Sequence, residues 1–227
     1  MSPRAARAWH LLTFLVAAFA LVFQLVLVYR GGHVLDEVEP PPTDERVRRY
    51  FFYFTIQSNI AVAWVTYLLA RGRESDTRFF RVLRLDAVLG IAVTGLVHFV
   101  LLRPLLDLDG ADFWADKLLH MVVPALAVAG WLVHGPRHLL ANRDVPPSLV
   151  WPILWLLLIL TTGPLFDDWY PYPFIDVAEH GLGIVLVNSL GITVLFLAIA
   201  YGLVWLERRL PPRDGQHKSD DSEVSRA

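Results

Sequence analysis

Apolar residues in this chain gather into six long runs, separated by short segments rich in basic or acidic residues. A helix that crosses a membrane needs roughly 20 mostly apolar residues, because each residue rises about 1.5 Å through a hydrocarbon core of about 30 Å. The runs Trp9 to Tyr29, Tyr50 to Ala70, Leu83 to Leu102, Leu118 to Val133, Leu149 to Leu165 and Leu182 to Leu206 meet or approach that length. The pattern predicts an all-α fold, a polytopic integral membrane protein in which residues 1–210 form a bundle of six transmembrane helices. No internal repeat points to a transporter built from duplicated halves.

Charge orients the bundle. Arg4 and Arg7, the cluster Arg71, Arg73, Arg78, Arg81 and Arg84, the pair Arg137 and Arg143, and Arg208, Arg209, Arg213 and Lys218 fall on every second boundary. Basic residues favour the cytoplasmic side, so both termini are expected there, in a protein of the cell membrane. Acids fill the alternate loops: Asp36, Glu37, Glu39, Asp44 and Glu45, then Asp107, Asp109 and Asp112, then Asp167, Asp168, Asp176 and Glu179. Arg30, Arg46, Arg48, Arg49, Arg103 and Lys117 run against the rule. The first run is longer than the apolar part of a secretory leader and no A-x-A-like site follows it, so it is expected to be retained.

Composition narrows the classes further. A chain of 227 residues, 55% of them hydrophobic, with mean hydropathy +0.46, departs from an ordinary soluble domain. It has no cysteine, which excludes disulfides and thiolate metal sites. A formal charge of −2 gives no reason to expect a nucleic-acid partner, and no protein partner can be named. Residues 211–227, rich in Ser and Asp, read as a disordered cytoplasmic tail.

Polar residues inside the runs sit toward the outer side. Thr55 falls roughly 7 Å below the outer end of the second run, at 1.5 Å per residue. Ser58 and Asn59, three and four positions on, share its face. Thr94 and His98 reach similar depth in the third run, as does His120 in the fourth, with Asp116 one turn above to orient it. Such groups either join helices through hydrogen bonds or build a site. Asp86 and His134 lie near cytoplasmic ends, where interfacial or arginine partners are the simpler expectation. Two imidazoles near Asp116 or Asp176 raise the question of a metal, but no HExxH-like spacing accompanies them, so no metal and no cofactor are expected. The segment from Gly163 to Asp176 is proline-broken and carries Trp169, Tyr170 and Tyr172, either as an interfacial aromatic belt or as a re-entrant lid over a pocket. Glu179, His180 and Asn188 follow on the same side.

These residues suggest a chemistry. A threonine hydroxyl becomes a nucleophile when a base takes its proton, and histidine is the commonest base. Thr55 would attack an ester carbonyl, His120 would accept and return the proton, and Asn59 or a tyrosine hydroxyl would hold the oxyanion. A pocket opening toward the outer leaflet would be reached most easily by lipids. The pocket is expected from the second, third, fourth and sixth runs with the loop around Trp169.

The aromatic-flanked Thr55, His120 ahead of Pro124, and the Trp169-Tyr170-Pro171-Tyr172-Pro173-Phe174 segment together resemble the androgen-induced gene and androgen-dependent TFPI-regulating protein family, over most of residues 9–206. The chain looks closest to the family's bacterial six-span relatives. The resemblance implies a threonine hydrolase acting on fatty acid esters of hydroxy fatty acids, with Thr55 matching the nucleophile and His120 the catalytic histidine. A non-catalytic protein that binds or passes a lipid or small amphiphile uses the same cluster as a binding site, and stays open as the alternative.

Overall fold

The computed structural model describes residues 2–31, 41–137 and 139–211. Asp36, Glu37, Glu39 and residues 212–227 of the expected tail lie outside the described residues. No strand forms among those described, in keeping with an all-helical fold. Five helical stretches, Pro3–Tyr29, Arg78–Leu105, Gly110–His134, Asn142–Leu165 and Val177–Arg209, are long and apolar enough by length and composition to cross a membrane. Phe54–Ala70 is a shorter apolar helix of 17 residues.

Helix α1 (Pro3–Tyr29) begins six residues before the first apolar run, because Ser2 Oγ accepts from the Ala5 N–H at 3.3 Å and Pro3 suits the first turn. The second run is not one helix. It breaks at Tyr53 (φ −65°, ψ 127°) into a charged α2 (Thr43–Phe52) and the apolar α3 (Phe54–Ala70). Side chains catch two carbonyls at the break: Trp155 Nε1 donates to Phe52 O at 2.8 Å and Gln57 Nε2 to Phe51 O at 3.0 Å.

Helix α4 (Arg78–Val97) is capped by Thr77, continues through a π-helical turn at His98–Leu102, and ends near Pro104. Helix α5 (Gly110–Lys117) passes through a second π-helical turn, Leu118–Val122, into α6 (Val123–His134). The short α7 (Val145–Ser148) leads to α8 (Val150–Thr162). Helix α9 (Val177–Arg209) is interrupted at Gly181, whose φ of 75° is left-handed, so its long part begins at Leu182 as the apolar pattern predicts.

Helix α4 is the centre of the bundle, packed by α3, α6 and α9, while α1 covers α3 and α6. Its most apolar window is 56% buried, against 17% for α9. The outward faces are apolar too: Leu15, Phe19 and Val22 on α1 and Val187, Leu190 and Val194 on α9 are exposed. Water would not tolerate so continuous an apolar surface, and a membrane protein is the natural reading.

Two apolar clusters form the interior. One gathers Phe54 with Val93, Trp131, Tyr172 and Phe196, the other Ile56 with Ala20, Val62, Ile91 and Val123. Thr55 lies between Phe54 and Ile56, on the seam.

Arginines secure both ends. Where α4 begins and α9 ends, Arg84 pairs with the fully buried Glu207, whose Oε1 also accepts from the Leu139 and Leu140 N–H groups at 2.9 and 3.0 Å. At the opposite end, three of the residues that break the charge pattern, Arg46, Arg48 and Arg49, hold structure. Arg46 donates to Val28 O at 2.9 Å and Pro41 O at 2.6 Å. Arg48 and Arg49 pair with Glu45 and lie over the rings of Phe166 and Trp169 at 3.6 and 4.9 Å.

Candidate functional site

Because the chain breaks at Tyr53, Thr55 stands in the first turn of α3, where backbone N–H groups have no helical acceptor and the helix dipole favours negative charge. Its N–H donates to Tyr172 Oη at 3.2 Å. Thr55 Oγ1 lies 3.2 Å from the same Oη and 3.2 Å from His120 Nε2. The contact that shared depth suggested is thus made, with Tyr172 as its third member.

Both histidines stand in π-helical turns, which re-aim side chains and recur at functional sites. In the second turn, Val123 N–H reaches Leu118 O, and Pro124, having no N–H, leaves Leu119 O without the next bond. Asn59 Nδ2 fills that gap at 3.3 Å and also donates to Thr55 O at 2.8 Å. Gly95 brings α4 close to this turn: a Cβ there would stand 3.2 Å from Pro124 Cβ and 3.3 Å from His120 O.

The result is a stack of two imidazoles against one carboxylate. The His98 and His120 rings lie 3.9 Å apart and 10° from parallel. Asp116 Oδ1 is 2.9 Å from His120 Nδ1 and 3.4 Å from His98 Nε2, while its Oδ2 is 3.2 Å from Lys117 Nζ. His120 Nδ1 is also 3.1 Å from the Asp116 carbonyl. Two acceptors around Nδ1 fix the proton there, leaving the Nε2 lone pair facing Thr55.

The remaining residues sort by role. Ser58 donates to Phe54 O at 2.6 Å and meets Thr94 Oγ1 at 3.0 Å, joining α3 to α4. Asn59 commits its amide donor to two carbonyls, whereas the Tyr172 hydroxyl stands beside Thr55. Burial raises the Tyr172 hydroxyl above its ordinary pKa, which keeps it an O–H donor. Tyr170 packs against Gly163 and Trp169 against Tyr53. Asp176 caps α9 by accepting from the Glu179 N–H at 3.0 Å, and Asn188 Nδ2 holds the loop through Phe174 O at 2.9 Å. The loop therefore folds over the α2–α3 break and brings Tyr172 to Thr55, with Phe174 and Ile175 lining a cavity that Thr55 and Tyr172 also border.

Two cavities, each of about 90 Å³, share Thr55, Leu102 and Tyr172 in their walls. The first also touches His98, Asp116 and His120 and runs to Arg46, Arg49 and Asp112. The second is apolar, between α4, α8 and α9, with Val93, Ile153, Ile192 and Phe196 among its walls. The sixth run contributes only to the second cavity, and α1 (Gln24, Val28) and α8 line cavities that the sequence pattern did not assign to them. Arg46 and Arg49 also went unassigned, although their departure from the charge pattern marked them. No known family model, curated protein or solved structure matches the chain.

Proposed function

We propose that the protein is a six-span hydrolase of the cell membrane, with both termini cytoplasmic, that cleaves a lipid ester through Thr55 and His120. The observation that carries this reading is the chain of contacts from Thr55 Oγ1 through His120 Nε2 (3.2 Å) and Nδ1 to Asp116 Oδ1 (2.9 Å). It has the nucleophile, base and orienting-acid roles of a hydrolytic triad. The Phe54–Ala70 helix, about 25 Å long at 1.5 Å per residue, supplies the sixth crossing. The alternation of basic clusters supports the orientation.

In the first step Thr55 Oγ forms a bond to the acyl carbon while its proton passes to His120 Nε2. Tyr172 O–H and the positive end of α3 stabilise the oxyanion. The tetrahedral intermediate expels the alcohol oxygen, which takes the proton from Nε2, leaving acyl-Thr55. Water then attacks the acyl carbon, giving a proton to His120, and Thr55 leaves with that proton as the fatty acid departs.

Two cavities meeting at one hydroxyl suit an ester with two apolar arms. The acyl arm would lie in the cavity between α4, α8 and α9. The alcohol arm would run toward Arg46, whose hydrogen bonds among the described residues go to carbonyls and a hydroxyl. That position suits a terminal carboxylate, as in the esters that the motif resemblance implies. The apolar walls also favour the second reading, a lipid-binding protein without turnover. Labelling of the detergent-solubilised protein with a fluorophosphonate probe separates the two. Labelling of wild type, lost in Thr55→Ala and His120→Ala, is the expected result; a folded wild type that never labels leaves the binding reading.

A further inference from the structure

We propose that His98, Asp116 and His120 bind a zinc-class divalent cation, and that the bound cation switches Thr55 off. The cation site stands on geometry alone, whereas the switch rests on the hydrolase reading.

One ligand atom from each residue lies within 4.8 Å of the others. In tetrahedral zinc, with bonds of about 2.0–2.2 Å, neighbouring ligand atoms stand roughly 3.3–3.5 Å apart. Of the separations to Asp116 Oδ1, the 3.4 Å to His98 lies in that range and the 2.9 Å to His120 lies a few tenths of an ångström below it. Two imidazole nitrogens and one carboxylate oxygen suit zinc and its neighbours rather than magnesium or calcium, which prefer oxygen.

His98 supplies the independent sign. It is 1% exposed, yet Nδ1 has no hydrogen-bond partner among the described residues and Nε2 has only the 3.4 Å approach to Asp116. A buried imidazole nitrogen beside a carboxylate, without a full hydrogen bond of its own, is free to ligate an ion. The cavity that reaches His98 also passes Asp112, so a route from the surface exists.

The stack places the ligand atoms near one another, and binding the cation requires the rings to tilt slightly out of it. Imidazole lone pairs lie in the ring plane, so two rings 10° from parallel point theirs side by side. A cation draws both nitrogens to one point and tilts the rings out of the stack. Bound at His120 Nδ1, it takes that lone pair and the ring proton moves to Nε2. Nε2 then donates to Thr55 and cannot accept its proton.

Lys117 opposes the cation. Its ammonium sits on Oδ2, leaving Oδ1 to the two histidines, and its side chain is 21% exposed. Removing it should tighten binding.

The test is zinc chloride titration by calorimetry into detergent-solubilised full-length protein. One zinc per chain is expected, with equal affinity in wild type and Thr55→Ala. His98→Ala should weaken it by at least roughly tenfold, since even supporting residues of metal sites have effects of that size. Lys117→Ala should strengthen it several-fold, a gain that misfolding does not produce. Magnesium should give no heat of binding. Zinc affinity indifferent to both His98→Ala and Lys117→Ala overturns the site. Zinc should also block probe labelling of wild type at the concentrations that fill the site, with a chelator restoring it. Labelling that continues at saturating zinc overturns the switch. If zinc binds as expected but wild type never labels, the hydrolase reading and the switch fall together while the cation site stands.

Discussion

At the Arg84 end of the bundle two fully buried carboxylates face arginines: Glu207 pairs with Arg84, and Asp144 lies 3.2 Å from Arg81, while Asp86 Oδ1 meets no hydrogen-bond partner among the described residues. At the Thr55 end one carboxylate, Asp116, is shared among two imidazoles and a lysine. Space differs as well. The cavity beside Arg84 is about 30 Å³, whereas the two that meet at Thr55 are about 90 Å³ each. Two Arg84 nitrogens lack hydrogen-bond partners among the described residues, but the space beside them holds roughly two water molecules. Buried charge thus appears in two forms. Matched to arginine and enclosed, it clamps helices; shared among imidazoles and a lysine beside open volume, it can do chemistry.

The sharpest way to break this comparison is to remove one carboxylate at each end. Asp116→Asn keeps the shape but loses the charge that fixes the His120 tautomer, and a loss of about 10⁴-fold in turnover or labelling rate is expected, by analogy with serine hydrolases. Its melting temperature should stay near that of wild type. Glu207→Ala leaves Arg84 buried without its counter-ion and the Leu139 and Leu140 N–H groups without their acceptor, which should cost about 3–5 kcal/mol of stability in a denaturant titration. Folded Glu207→Ala molecules should label at the wild-type rate. If both variants lose stability and neither shows a selective loss of labelling, the two ends do the same work and the distinction is wrong.

The difference between the ends was partly legible in the chain. The depth of Thr55, His98, Asp116 and His120 could be read from apolar run lengths, and these four meet in the structure. The i, i+4 pairing of Asp116 with His120 was visible for the same reason. The Tyr53 break was not, because a run of aromatics reads as one helix, and Trp155 supports the break from about a hundred positions away. The π-helical turns were hidden too, since a single inserted residue leaves the apolar pattern almost intact. Asn59 looked free because its acceptor, Leu119 O, is exposed only by Pro124 within such a turn. The arginines of α2 depart from the charge pattern, and in the structure they hold the loop and the α1 carbonyls.

Tyr172→Phe tests the loop's share in the chemistry. It removes one hydroxyl while keeping the ring stacked on Phe174 at 5.3 Å. A lost oxyanion donor lowers kcat by roughly 10²-fold or more, with KM little changed. Stability should fall by only about 1 kcal/mol, the usual net worth of a hydrogen bond. A variant that labels as fast as wild type would reduce Tyr172 to a packing role.

The smallest effect asks whether close helix approach is needed at the site end alone. Gly95→Ala would set a methyl group 3.2 Å from Pro124 Cβ and 3.3 Å from His120 O, tighter than ordinary contact. Overpacking of this kind costs about 1 kcal/mol or somewhat more, and it pushes α4 and α6 apart by a few tenths of an ångström. That displacement falls on the stack itself, because His98 follows Gly95 by one turn. Labelling should slow several-fold. Gly191→Ala on α9 is the control: its Cβ would meet nothing within 4 Å, so the helix gains the better propensity of alanine, about 0.5–1 kcal/mol in soluble hosts. Slower labelling in Gly95→Ala with unchanged labelling in Gly191→Ala ties the chemistry to the α4–α6 approach. Equal rates in both would mean that the stack accommodates the shift, and that the distance from Thr55 to His120 is set by α3 and Asn59 instead.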